Sequence, residues 1–460
     1  MWIPDLTQFT GPKYLAIADA LSLDIVQGRL APGDRLPPQR ELSYALGVNF
    51  GTVTRAYALA ADRGLVRGEI GRGTFVRKDP PSSLTPWPDE SRKPDRIDMR
   101  SDFPCSLADD PAFRQGFQNL PRHPDFSSLL QYQPGSARPD HQEAAAAWTG
   151  LLGVPSVPDG IFITNGALHS GFLSLLAVTR PGDTIYTESL TSPAIRSIAA
   201  MLHLTIKPVA TDGQGLVPED LEKKQKTSPA RALYLVPDFQ NPTTAVLPEH
   251  RRDAIAGIVE NSGLYLVEDD VFGGLARGIG KDRIPGAPTP VSRRIPERAF
   301  YITSFSKGIA PGLRIGYLVS PKGFREKILT GLRITSWMAS PPMAELVSGW
   351  IRDDNAARLF KRQAAKLSRL TRIAGAALKD FQPGIQDHCP HVWLRLPGPG
   401  REILVTDALA RTGIDVTPGE YFSVSKGLAP NGIRLCLGQI DDPTRLYRAC
   451  RIISRVLSSI

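Results

Sequence analysis

The sequence predicts an α/β protein in two unequal parts. A winged helix-turn-helix comes first; behind it stands a larger domain built on a mainly parallel sheet covered by helices, with a smaller C-terminal α/β subdomain. Three observations carry this prediction. Three helical segments and a hairpin fill residues 1–79, apolar β-type runs alternate with helical segments through residues 98–460, and residues 80–97 between them are rich in Pro and Ser without apolar periodicity. A stretch of that composition reads as an extended linker. At 460 residues the chain has room for two or three domains.

Each element has a local reason. "KYLAIADALSLDIVQG" (13–28) spaces apolar residues at helical intervals and stops at Gly28. After the turn "PGDRLP", "PQRELSYALG" (38–47) is a short helix ending at Gly47, and "VNFGTVTRAYALAADRG" (48–64) is a longer one with Asn49 as its N-cap. "LVRGEIGRGTFVR" (65–77) sets two β-type runs around a glycine-rich turn, the pattern of a hairpin. Beyond the linker, "GIFIT" (160–164) precedes a helix from Ala167. Then come "RALYLV" (231–236), a helix over 248–263, "LYLVED" (264–269) and "AFYIT" (299–303). Strands alternating with helices imply a parallel sheet covered on both faces.

Composition narrows the function. Hydrophobic residues make up 42% and charged residues 22%, enough for a large buried core. No run approaches the roughly 20 apolar residues of a membrane span, and "MWIPDLTQFT" has no basic segment leading into an apolar one. A cytoplasmic protein without a membrane partner is therefore expected. Cys105, Cys389, Cys436 and Cys450 lie far apart with no paired spacing, so they read as buried thiols rather than disulfides or a metal site. The net charge of +9 suits nucleic acid or anionic ligands.

In open α/β sheets, ligands bind beyond the carboxyl ends of the strands, and this sequence collects polar residues there. After the first strand come Asn165, Gly166 and Ala167 at a helix start; after the second comes Asn241. The third ends in Glu268-Asp269-Asp270 and the fourth runs into Ser304-Phe305-Ser306-Lys307. A lysine at such an edge can form a Schiff base with an aldehyde. A carboxylate facing a pyridine nitrogen keeps it protonated. Helix N-terminal amides near Gly166, together with Ser304 and Arg314, suit a phosphate. Arg434 in "NGIRLCLG" suits a substrate carboxylate. These parts describe a pyridoxal phosphate (PLP) site. His169 and His391 read as packing or hydrogen-bonding residues.

Residues 98–460 resemble a fold type I PLP-dependent aminotransferase. The likeness rests on the order Asn-Pro, acidic strand end, Ser-x-Ser-Lys, Gly-Leu-Arg and Ile-Arg-Leu. Its spacings are 28 residues from Asn241 to Asp269, 38 to Lys307 and 7 to Arg314. The resemblance implies that Lys307 is the catalytic residue and carries the cofactor's aldimine, that Asp269 faces the ring nitrogen, and that Asn241 bonds the phenolic oxygen. Gly166, Ala167, Ser304 and Arg314 would take the phosphate, and Arg434 the carboxylate of the ligand. Tyr132 in "LQYQPG" resembles the tyrosine that reaches the neighbouring subunit's phosphate, which implies a homodimer. Two departures stand out. Ser192 replaces the aromatic ring that usually stacks on the cofactor, and Phe272 replaces a tyrosine that usually bonds the phenolic oxygen.

Residues 14–76 resemble the winged helix-turn-helix of the GntR family, through "G-x-L-x-P-G-x-x-LP", the Arg-Glu-Leu opening the second helix and "GRGTFV" in the wing. Its recognition helix would enter the major groove of double-stranded DNA. That sets Asn49, Phe50, Thr52 and Thr54 toward bases, Arg40 and Arg55 toward phosphates, and Arg72 and Gly73 in the wing. Charge alone argues weakly, since residues 1–79 hold ten Lys/Arg against eight Asp/Glu. The two halves joined are similar to the MocR subfamily of regulators. That likeness implies a PLP-dependent transcriptional regulator, responding to an amino acid, an amine or PLP through exchange at Lys307. A working aminotransferase that carries a DNA-binding domain is the alternative. A domain that has lost its cofactor and only dimerises the DNA heads is a third, against which Lys307 speaks.

Overall fold

Capping chemistry sets the second and third helices of the computed structural model, which describes residues 2–7, 9, 12–26, 28–62, 65–69, 71–77, 96–133, 137–397, 401–424 and 432–459. Helix Gln39–Leu46 ends at Gly47, whose left-handed φ of 60° lets its N–H donate back to the carbonyls of Ser43 and Tyr44. Helix Phe50–Asp62 starts after Asn49, whose Oδ1 accepts the Gly51 N–H at 2.9 Å. With helix Lys13–Val26 they enclose a small core of Leu21, Leu42, Val53 and Ala60. Strands Val66–Glu69 and Gly73–Val76 pair as an antiparallel hairpin against it. The winged helix-turn-helix is formed as expected. The expected linker falls outside the described residues up to residue 95. Its last two residues are already paired: Arg96 Nε donates to Asp415 at 2.8 Å, and Ile97 lies beside Ile414.

The large domain is built on seven strands in the spatial order Ile161–Thr164, Gly316–Val319, Ala299–Ser304, Tyr265–Asp269, Ala232–Leu235, Thr184–Glu188 and Thr205–Val209. All pairings are parallel except those of Gly316–Val319, which runs against both its neighbours. The sheet is mainly parallel, as its apolar runs predict. The central strands bury nearly every residue, and helices such as Ala167–Val178 and Glu249–Ser262 supply the covering faces. Because parallel strands point their carboxyl ends one way, Asp269 and Ser304 emerge on a single edge.

A smaller subdomain carries the sheet His391–Arg395, Gly432–Cys436 and Thr417–Pro418. Strand Ile97–Asp98 pairs with its Ile414–Asp415, and the Cys436 N–H donates to Met99 at 2.8 Å. Residues 97–102 are thereby laid along the subdomain and lead Asp102 to the edge of the large sheet. All four cysteines are buried and free, as expected. Among the described residues, no helix is long and apolar enough to cross a membrane.

Candidate functional site

One end of the site is cationic. Gly166 precedes helix Ala167–Val178 with φ +87°, a conformation glycine adopts without strain. A Cβ there would come within 2.7 Å of Arg314 Nη2, so the guanidinium lies directly against the helix N-terminus. Arg314 also donates to the Asn165 carbonyl at 2.6 Å. A guanidinium beside the positive end of a helix dipole is unfavourable unless an anion joins them. Ser304 is part of the same neighbourhood. It pairs with Gly316, which pairs in turn with Thr164. The Ser304 and Ser306 hydroxyls are buried and have no hydrogen-bond partner among the described residues. His169 also borders this end. Its Nδ1 accepts the Asn165 N–H at 3.2 Å, and burial and Arg314 lower its pKa.

The other end is anionic. Burial raises the Asp269 carboxyl to about 6, although a hydrogen bond from Tyr234 and the Val271 N–H pull it down. Tyr234 donates to Oδ2, while among the described residues no donor reaches Oδ1 in full hydrogen-bond geometry. A buried acceptor lacking a donor fits a protonated ring nitrogen. Two strands away, burial pushes Glu188 up to about 8, with its nearness to Asp269 adding to the rise, so Glu188 is mostly neutral at pH 7.

Between these ends sits Lys307. Its Nζ donates to the Asp102 carbonyl and lies 3.1 Å from Asp102 Oδ2. Burial alone would raise the Asp102 carboxyl, but Lys307, His391 and Arg434 around it hold it below the usual range. Arg434 is buried. It donates to Asn241 Oδ1 at 2.7 Å and to the Arg100 carbonyl at 2.5 Å, and its guanidinium covers the Phe422 ring at 4.7 Å. Among the described residues no carboxylate forms an ion pair with it. His391 is held neutral, its pKa lowered to about 4 by burial and by the cations Arg434 and Lys307 against the pull of Asp102. The Phe272 ring packs 5.8 Å from that imidazole.

A buried clamp supports the edge from below. Arg277 bonds both Asp270 Oδ1, at 2.8 Å, and Asp238 Oδ2, while Arg252 takes the other Asp238 oxygen at 2.7 Å. Asp238 stands three residues before Asn241 and Asp270 follows Asp269, so one guanidinium ties the two loops that carry them.

Residues 95–453 match the model of the family described as Aminotransferase class I and II. The chain belongs to this family. In front of the aminotransferase class I and II domain, residues 13–76 match the bacterial regulatory proteins of the gntR family, which makes the whole a MocR-type architecture. The chain is 28% identical to YdeF, an HTH-type transcriptional regulator of Bacillus subtilis, across 100% of this chain and 97% of that one. It is 29% identical to PdxR, the HTH-type pyridoxine biosynthesis transcriptional regulator of Corynebacterium glutamicum, across 91% of this chain and 90% of that one. Its fold is similar to that of the Pyrococcus horikoshii kynurenine aminotransferase, with a TM-score of 0.71 and 20% identity over 79% of this chain and 91% of that one.

Within the aminotransferase class I and II domain, the fold brings Gly166, Ala167, Asn241, Asp269, Ser304, Lys307, Arg314 and Arg434 to one edge. Tyr132 lies apart, 75% exposed and tilted against Trp337 at 5.2 Å between ring centres. Ser192 precedes helix Pro193–Met201 and makes no side-chain cap. Asp102, Tyr234 and Arg277 escaped the sequence reading. Tyr234 did carry a signal, since a tyrosine in a fully buried strand needs a partner for its hydroxyl.

In the gntR-type domain, Asn49 is occupied as a cap and Thr54 Oγ1 bonds Gln39 at 2.8 Å. The Arg55 guanidinium lies 3.9 Å from the centre of the Tyr14 ring, and Arg40 lies 5.9 Å from that of Phe50. Thr52 donates its backbone N–H to the Asn49 carbonyl at 2.9 Å. At the wing, Arg72 pairs with Glu69 at 2.8 Å, and Gly73 lies against Arg35. Gln39 and Arg35 were not singled out by the sequence.

Proposed function

We propose that this transcriptional regulator binds PLP along the sheet edge and responds there to an amino acid or amine. One observation supports the reading most. A single edge carries Arg314 at a helix N-terminus, with no carboxylate paired to it among the described residues, an amine on Lys307, and Asp269 with one oxygen short of a full hydrogen-bond donor. Those three groups fit, in order, the phosphate, the aldehyde and the ring nitrogen of PLP. Bound PLP supplies an aldehyde that captures primary amines covalently. Lys307 is the tether, Asp269 holds the ring-nitrogen proton, and Ser304, Arg314 and the amides at Gly166 and Ala167 hold the phosphate. Asn241 orients the ring, and Arg434 takes a carboxylate on the responding molecule. The winged helix-turn-helix reads double-stranded DNA with Asn49, Phe50, Thr52 and Thr54 toward the bases. Arg40 and Arg55 approach the phosphates, and Arg72 and Gly73 in the wing approach the backbone or the minor groove.

The visible absorbance of the purified chain with PLP tests this. A band that needs Lys307 and disappears in Lys307→Ala supports it, and no band in the wild type removes it. The aminotransferase alternative keeps one supporting observation, the buried Arg434, which has no directly paired carboxylate among the described residues. Repeated turnover with a 2-oxo acid acceptor would establish it.

A further inference from the structure

A second cavity, of about 410 Å³, opens between helix Asn355–Leu378 and residues 274–284. Its size lies within the roughly 300–1,000 Å³ of small-molecule sites. None of the residues assigned above to the cofactor or to DNA lines it. We propose that this cleft binds a small amphipathic carboxylate and communicates with Lys307 through Phe360.

The ligand class follows from the lining. Leu275, Ile279 and Phe360 form a buried apolar floor, with Ala364 on the wall. At the rim, Lys361 is neutralised by Asp282 at 2.7 Å. Arg372 is not neutralised: its Nε donates to the Ser368 carbonyl in its own helix, and among the described residues no carboxylate pairs with it. An apolar floor under one uncompensated guanidinium suits an apolar body carrying a single carboxylate, which arginine can grip with two parallel N–H bonds.

The communication follows from packing. The Phe360 ring lines the cavity and also abuts the loop carrying Lys307. A Cβ at Gly308, the residue after Lys307, would sit 2.0 Å from Phe360 Cε1. At Gly274, five residues beyond Asp269, it would sit 2.9 Å from the same atom. Phe360 also meets the rings of Trp148 at 5.3 Å and Phe305 at 6.2 Å. An interior this close transmits displacement instead of absorbing it. A ligand that shifts Phe360 therefore shifts the loops bearing Lys307 and Asp269, and linkage requires cofactor binding to change that ligand's affinity by the same factor. The communication rests on Lys307 being the cofactor's tether; binding in the cleft does not.

Octanoate is the probe, since without an amine it cannot use the chemistry at Lys307. It is titrated by calorimetry into the full chain with and without PLP. One saturable site per chain is expected, lost when Ala364→Trp fills the cleft and weakened at least tenfold by Arg372→Ala. The second variant, at an exposed position, keeps the test open if the tryptophan disturbs the helix. Saturating octanoate should also shift the PLP affinity read from visible absorbance at least threefold. No binding, or binding untouched by both variants, overturns the site. Variant-sensitive binding with unchanged PLP affinity overturns the communication. If the wild type shows no PLP band at all, the cofactor reading fails while the calorimetry still decides the cleft.

Discussion

Lys307 and Asp102, 205 positions apart in the chain, form an ion pair of 3.1 Å at the centre of the site. Lys307 must leave this pair to engage a cofactor aldehyde. Partly exposed pairs of this kind contribute up to about 1 kcal/mol, and Lys307 is 29% exposed. Asp102→Asn should therefore tighten PLP binding by about threefold to fivefold at neutral pH, measured by titrating the visible band. Weaker binding in the variant would show that Asp102 assists the bound state instead.

Asp269 sets a pH dependence of its own. Its carboxyl is raised from 3.8 to about 6 in the folded chain, chiefly by burial. A raised value means that the folded state holds a proton the unfolded state has released. The associated stability is complete below about pH 4 and lost as pH rises through about 6. Asp269→Asn removes that loss, so without PLP the variant should be more stable than wild type at pH 8 by roughly 2–3 kcal/mol, and indistinguishable at pH 3.5. Thermal melts at the two pH values check this. The same variant should bind PLP far more weakly, because it no longer offers an anion to the ring nitrogen.

Tyr234 tunes the same carboxylate. Its hydroxyl bond lowers the Asp269 pKa, so Tyr234→Phe should leave Asp269 more protonated at pH 7. Weaker PLP binding at pH 7 that recovers toward wild type at pH 9 is the expected result. A pH-independent loss would assign Tyr234 a packing role only.

Arg277 is 1% exposed, and its partners Asp238 and Asp270 are fully buried. Removing one partner of such a network leaves charge buried without compensation, at a cost of about 3–5 kcal/mol. Arg277→Met should lower stability by that amount in denaturant unfolding. PLP affinity should fall with it, because the loops bearing Asn241 and Asp269 are no longer tied. Intact PLP affinity in a destabilised variant would confine the clamp to stability.

What was legible in the sequence were groups whose positions follow from the backbone alone. Asn241, Asp269, Ser304 and Lys307 each stand at or just after a strand end, and a parallel sheet sends those ends to one edge. Asp102 had no such anchor. It reaches Lys307 because residues 97–99 pair with the subdomain at Ile414 and Cys436, a tertiary contact no local pattern encodes. Arg277 was hidden for the same reason, since its partner Asp238 lies 39 residues upstream. Strand Gly316–Val319 also went unread. It reverses direction, and four residues are too few to show a period.

DNA binding by the winged helix-turn-helix should fall steeply with salt, since each phosphate contact releases counterions. Arg40 is exposed and makes no ion pair among the described residues, which leaves it available to the backbone. Arg40→Ala should weaken specific and non-specific DNA alike and flatten the salt slope by about one unit. Loss confined to the specific site would make Arg40 a base reader.

The assembly prediction rests on an exposed apolar patch around Tyr132. Tyr132 and Trp337 lie tilted against each other at 75% and 51% exposure, and Ile334 is 75% exposed nearby in sequence. Large rings left in water cost solvation that a second copy of the chain would relieve. If the chain is a homodimer through this patch, Trp337→Asp, which sets a charge there without touching the core, should yield folded monomers in sedimentation at micromolar concentration. If Tyr132 completes the partner's site, those monomers should also bind PLP more weakly, and Tyr132→Phe should weaken PLP binding while leaving the dimer intact. A Trp337→Asp chain that sediments as wild type would place the interface elsewhere.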